Sequence, residues 1–199
     1  QGLATAGMEV GFASYVGDDF IGSELKSIAA QSGIAHLSIK EIPGPSNSPI
    51  VLISHDGERT VIAQSPSKLD KISLNEFPIA PGDVVVFPLW RTYFWDEYVR
   101  VKELGCTVVL GLAAADDSRR PSAHLAIGSS SDHESEIEPR QFDAYVETLG
   151  SRGAKYHSQD LVITAPAINS RLVDATGAGD AFMAGYLLGF LEKVPPEKS

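Results

Sequence analysis

One stretch near the carboxyl end limits what this chain can be. Asp174-Ala175-Thr176-Gly177-Ala178-Gly179-Asp180-Ala181-Phe182 is a turn of small residues that runs straight into Met183-Ala184-Gly185-Tyr186-Leu187-Leu188-Gly189-Phe190. A helix over Ala181 to Leu191 is apolar on every face, so it is expected in the middle of a domain rather than on its surface. Its amino end is then expected to open away from bulk water. There the backbone N–H groups of Gly177, Ala178 and Gly179 lack intrahelical partners and meet the positive end of the helix dipole, which suits an anion such as phosphate. Glycine keeps side chains clear of the phosphate oxygens. Asp180, at the same helix start, has its charged form favoured and can take a proton from an acceptor. The plainer alternative is a helix start whose glycines only pack tightly against a strand.

These nine residues resemble the C-terminal signature D-x-T-G-A-G-D-x-F of the ribokinase (PfkB) family of carbohydrate and nucleoside kinases. The resemblance implies an α/β fold: a ribokinase-like three-layer α/β/α sandwich with a mostly parallel central sheet and a small antiparallel β lid. It further implies that Asp180 is the catalytic base, that Gly177, Ala178 and Gly179 form an anion hole, and that Asp174 and Thr176 contact the nucleotide. The implied activity is transfer of the ATP γ-phosphoryl group, with Mg2+, to a primary hydroxyl of a sugar or sugar-like metabolite. A nucleoside kinase of the same family and a catalytically silent nucleotide- or metabolite-binding relative are the alternatives. A dinucleotide-binding oxidoreductase fits poorly, because no G-x-G-x-x-G follows an early strand.

Taken in order, Gln1 to Gly7 reads as a helix end closed by glycine, and Val10 to Ser14 as a short buried strand. Tyr15 to Gly22 resembles the family's G-x-V-G-x-D-x-x-G turn, with Asp19 capping a helix over Ile21 to Gln31. Ala35 to Ile39 is a strand. Ile50 to Ser54 and Arg59 to Ala63 flank His55-Asp56-Gly57-Glu58, a hairpin signal. That hairpin is either a surface feature or the family's lid, which covers the sugar and often pairs with a second subunit; the lid strands would fall within about 35–64. A helical connection over Asp70 to Phe77 leads to the strand Val84 to Phe87. Trp90 to Trp95 follows at that strand's carboxyl end, where these aromatics can stack on a substrate, with Arg91 binding an anion, or pack a helix over Asp96 to Leu104 onto the sheet.

Thr107 to Leu110 is the next strand, after which Gly111-Leu112-Ala113 stands where relatives commonly carry Asp. Leu125 to Ile127 leads to Ser131-Asp132-His133-Glu134, the nearest counterpart of the family's N-x-x-E. The resemblance therefore implies that Glu134 serves Mg2+, whose hydrated octahedral site suits a carboxylate. His133 is expected to be solvated, since no second His or Cys stands at metal spacing. Tyr145 to Thr148 runs into Leu149-Gly150-Ser151-Arg152-Gly153-Ala154, similar to the family's T-L-G-x-x-G-A, which implies nucleotide contacts at Thr148, Gly150 and Gly153. Lys155 to Ser158 and Leu161 to Ala165 form a second hairpin.

Composition bounds the rest. The 199 residues can bury one core, and a single domain is the expectation. Sixteen Lys+Arg against 26 Asp+Glu give a formal charge of −10, which disfavours nucleic acid or an anionic membrane as a partner. Cys106 is the only cysteine and no apolar run reaches the ~18 residues of a membrane span, so a cytoplasmic protein is expected. Ser135 to Asp143 is too short for the helix that usually joins parallel strands. The resemblance thus implies elements before Gln1, around 135–143 and after Ser199 that this sequence does not carry.

Overall fold

A computed structural model describes every residue except 54, 56–58, 63–71, 139, 169–175 and 199. The chain forms two units, residues 1–77 with 171–176 and residues 78–170 with 177–199.

In the first unit, α1 (Gly2–Thr5) is followed by Gly7 at φ 87, the left-handed closure expected of glycine. Strand β1 (Gly11–Gly17) pairs in parallel with β2 (His36–Ile42), joined by α2 (Phe20–Ala30). Asp19 caps α2 and also holds the loop after β2. Its Oδ1 accepts from Gly22 N–H at 2.8 Å and from the Ser46 hydroxyl at 2.6 Å, and its Oδ2 accepts from Ser46 N–H at 2.9 Å. The Ser46 hydroxyl first, then these backbone donors, hold the Asp19 carboxyl below the usual carboxylate range. Gly22 has to be glycine, since a Cβ there would run into the carbonyl oxygen of Gly17. Strands β3 (Ile50–Ile53) and β4 (Arg59–Ile62) form the expected antiparallel hairpin, Ile50 opposite Ile62. Its turn residues Asp56, Gly57 and Glu58 lie outside the described residues.

The helix expected over 70–77 is not present where the chain is described, from Ile72 on. Long-range contacts outweigh local propensity there. The Ser38 hydroxyl donates to Glu76 at 2.5 Å, and the Phe77 ring lies against Gly11, both drawing the segment onto β1 and β2. Pro78 also disfavours a helical conformation at Phe77.

The second unit is a six-stranded sheet in the order β10-β9-β8-β7-β6-β5. Strands β5 (Val84–Phe87), β6 (Thr107–Gly111), β7 (Ala123–Ser129) and β8 (Phe142–Thr148) are parallel. β9 (Ala154–Ser158) and β10 (Val162–Ala165) continue the sheet antiparallel, as the second hairpin predicts. Val108, Val109, Leu110, Leu125, Ile127 and Val146 are fully buried, the near-continuous apolar pattern of central parallel strands.

Two parallel connections are unusually short. Residues 112–122 hold only a 3-10 helix, Leu112–Asp116, and 130–141 hold no helix among the described residues. Near its end each has a non-glycine residue in the left-handed region, Arg120 at φ 50 three residues before β7 and Arg140 at φ 68 two residues before β8. Such a conformation costs on the order of 1 kcal/mol per residue. Buried Gln141 ties the two connections together, its Nε2 donating to the carbonyls of Ala114 and Pro121 at 3.3 and 3.4 Å.

Of the two readings of the aromatic cluster, packing holds. α3 (Trp95–Glu103) lies on β6, and Tyr98 exchanges hydrogen bonds with the Ser122 backbone, donating to its carbonyl at 2.8 Å and accepting from its N–H at 2.9 Å. Trp90 is buried and donates through Nε1 to Asp117 Oδ2 at 2.8 Å. Arg119 bonds the same carboxylate and stacks over the Trp95 ring at 4.2 Å. Arg91 donates to the Trp90 carbonyl at 2.9 Å.

Hydrogen bonding from Arg119, opposed by burial, draws the Asp117 carboxyl down to about 2. The stability this contributes is present above the unfolded value of 3.8 and is lost as pH falls through about 2. Asp117→Ala, which leaves a buried indole N–H and a guanidinium without their acceptor, should lower the unfolding free energy by about 2–4 kcal/mol in urea denaturation at neutral pH. The deficit relative to the parent should shrink as the pH is lowered toward about 2. A deficit under 0.5 kcal/mol, on the order of an ordinary surface substitution, would contradict the role given to this carboxylate.

Candidate functional site

The glycine-rich turn and the apolar segment form α4 (Ala178–Leu191), with Gly177 at its N-cap in the left-handed region, φ 77. An added Cβ at Gly177 or Gly179 would meet nothing within 4 Å, so among the described residues no side chain plugs the helix tip. Asp180 stands in the first turn with no hydrogen bond or ion pair to the described residues. One expectation is corrected. Gly177 to Ala181 are exposed and only Tyr186 and Leu187 of α4 are buried, so the amino end opens to solvent instead of the interior. The helix is as apolar as expected, but its first turn is exposed and Phe182 to Ala184 are only half-buried. Thr176 is described beside the tip; Asp174 lies outside the described residues.

The carboxyl half of α4 packs on the sheet. Tyr186, Phe190 and Lys193 line a groove of about 330 Å3 together with Leu125, Ala144 and Tyr156, which are central to β7, β8 and β9. From Tyr186 the helix runs back about 12 Å to Ala178, and from Ala144 the strand runs forward about 13 Å to Thr148. Thr148 lies at the carboxyl edge of the parallel strands, where open α/β sheets bind ligands.

Two other expected site elements stand at that edge. Thr148 ends β8, and the turn after it is closed by Leu149 N–H donating to the Gly153 carbonyl at 2.8 Å and Gly153 N–H to the Gly150 carbonyl at 3.0 Å. Both glycines have positive φ, and at Gly153 a Cβ would also strike the Ala165 carbonyl oxygen. Ser130 N–H donates to the Thr148 carbonyl at 3.1 Å, joining this turn to the segment that carries Glu134. The Glu134 side chain is exposed and has no partner among the described residues.

His133 is not solvated as expected. Its Nδ1 lies 2.9 Å from the Ser135 carbonyl and its Nε2 3.3 Å from Glu147 Oε1, while Glu147 Oε2 lies 3.2 Å from His157 Nε2. Tyr145 stacks on His157 with ring centroids 4.4 Å apart. Asp116 was not signalled by any motif, yet its carboxylate accepts from the N–H groups of Glu134 and Ser135. Those donors, Ser135 foremost, hold the Asp116 carboxyl below the usual range. Gly111 also has a steric reason, since a Cβ there would meet the Pro88 carbonyl oxygen. No residue larger than glycine fits at this last position of β6.

Residues 133–199 match the pfkB family of carbohydrate kinases. A 1-phosphofructokinase of Haloferax volcanii is 42% identical over 52 residues, a stretch covering 26% of this chain and only 17% of the relative's length. A ribokinase of Thermotoga maritima superposes with a TM-score of 0.76 at 15% identity, covering 99% of this chain and 73% of that one. An Escherichia coli protein assigned as a ribokinase II, in complex with ATP and Mg2+, superposes with a TM-score of 0.73 at 19% identity over 94% of this chain and 73% of that one. The fold is thus ribokinase-like α/β, as expected.

The two turns should respond differently to a methyl group. Gly177→Ala faces open space and should cost only the left-handed conformation, about 1 kcal/mol. Gly153→Ala adds a clash with backbone and should cost at least about 2 kcal/mol more. Chemical denaturation of both variants checks this, and equal losses would contradict the packing described for Gly153.

Proposed function

We propose, from the match of residues 133–199 to the pfkB family of carbohydrate kinases and from the ribokinase-like fold, that the chain performs ATP-dependent phosphorylation of the primary hydroxyl group of a sugar or sugar-like metabolite. The observation that carries this reading is the open tip of α4, with bare backbone donors and a carboxylate free of partners among the described residues. Asp180 accepts the hydroxyl proton, and the N–H groups of Gly177, Ala178 and Gly179 hold the charge on the phosphoryl oxygens. Phosphoryl transfer passes through a loose transition state, so placement and electrostatics matter more than a strong base.

Thr148, Gly150 and Gly153 line the nucleotide in this reading, and the resemblance gives Asp174 and Thr176 nucleotide contacts as well. The donor set suits Mg2+, which keeps several waters and takes one or two carboxylates alongside phosphate oxygens. Glu134 is the exposed carboxylate that would hold it, directly or through water, and when bound the metal offsets phosphate charge. Local positive potential matters in a chain of formal charge −10. Pairing of two copies falls to the β3–β4 hairpin, whose Ile50, Leu52, Ile53 and Ile62 are exposed.

Asp180→Asn should lower kcat by about 10²- to 10⁴-fold while leaving ATP affinity close to that of the parent. ATP consumption across a panel of sugars and nucleosides, with ATP binding measured separately, checks it. Undiminished turnover in the variant would remove Asp180 as base. A parent that binds ATP but consumes none with any acceptor would favour the silent relative.

A further inference from the structure

Glu134 stands on a connection that has no helix to hold it. Between β7 and β8 the described chain forms neither helix nor strand, so the place of this carboxylate depends on side chains from neighbouring elements. Asp116, the last residue of the 3-10 helix after β6, receives the Glu134 N–H at 3.2 and 3.0 Å on its two oxygens, and its Oδ1 receives the Ser135 N–H at 2.8 Å. From the other side Glu147 of β8 holds His133 at 3.3 Å. Three consecutive residues are thus anchored through backbone or neighbouring side chain, and the Glu134 carboxylate alone has no partner among the described residues.

We propose that Asp116 is a positioning residue, fixing the backbone of Glu134 so that its carboxylate is presented to the divalent cation that accompanies the nucleotide. This inference rests on the reading of Glu134 as the metal-binding carboxylate. Both Asp116 oxygens face backbone donors of this segment, which is the geometry of an anchor. The chemistry also explains the residue type: an ionised carboxylate is acceptor-only, and charge-assisted bonds to N–H groups are stronger than neutral ones. In Asp116→Asn the amide oxygen can replace Oδ1, the atom shared by both donors, whereas Asp116→Ala removes the anchor outright.

The test measures binding of Mn2+, as a probe for Mg2+, to the full chain in the presence of ADP, by the electron paramagnetic resonance of free Mn2+. Asp116→Ala should weaken Mn2+ binding about tenfold, the usual loss when a group that orients a metal ligand is removed, and Asp116→Asn should restore most of it. Glu134→Gln should weaken binding comparably, and the double variant Asp116→Ala with Glu134→Gln should be no weaker than Glu134→Gln alone, since both act through one carboxylate. ADP affinity without metal reports whether each variant is folded, and the isosteric Asn variant decides the matter where Ala does not fold. Unchanged Mn2+ affinity in both Asp116 variants, or losses that multiply in the double variant, would overturn the positioning role while leaving Glu134 as metal residue. Unchanged affinity in Glu134→Gln would overturn the metal reading itself, and the inference with it.

Discussion

The register of β7 against β8 is the constraint from which the functional edge follows. Leu125 stands opposite Ala144 and Ser129 opposite Thr148, so the two strands end at one level. The Ser130 N–H bond to the Thr148 carbonyl extends the pairing one step past the strand. The segment carrying Glu134 and the turn from Thr148 to Gly153 therefore begin as continuations of paired strands, and their separation is set by the sheet instead of by loop packing. A slip of one residue would move Leu125 and Ile127 to the opposite face of the sheet, against partners they are not shaped for, and displace the Glu134 segment by about 3.3 Å along β8.

The same region shows how the fold manages without long crossovers. Residues 112–122 and 130–141 join parallel strands at close to the shortest possible length, and they hold together through polar contacts that a helix would otherwise make unnecessary. Asp116 reaches 134 and 135, Gln141 reaches 114 and 121, and Asp117 gathers Trp90 and Arg119. On the α4 side the anchorage is apolar and narrow. Tyr186 and Leu187 are the buried residues of α4, and burial together with nearby Tyr156 pushes the Tyr186 hydroxyl up to about 12, keeping it neutral. The thin packing that leaves the first turn of α4 exposed also leaves its N–H donors accessible.

What could be read from sequence was whatever local rules decide. The Asp19 cap, the two hairpins, the parallel strands and the glycine-led start of α4 follow from spacing and from residue types that admit few conformations. Where distant partners decide, sequence was silent or misleading. The segment ending at Phe77 has helical character by itself, but Ser38 and Gly11 capture its side chains. His133 looked solvated because Glu147 is 14 residues away in the chain, though adjacent in the sheet. Asp116 belongs to no motif; only the folded backbone brings it under Glu134. An all-apolar helix announces that it needs cover but not how much of it receives any, and the exposure of Gly177 to Ala181 could not be read from composition.

The central claim is that the amino end of α4 receives the phosphoryl group beside Asp180. Amide nitrogen and proton NMR shifts, followed while a non-hydrolysable ATP analogue and Mg2+ are added, test it most directly. The account predicts that the amides of Gly177 to Asp180 and of Leu149 to Gly153 shift together and saturate at one ligand concentration. Nucleotide binding that leaves the Gly177 to Asp180 amides unmoved would contradict it.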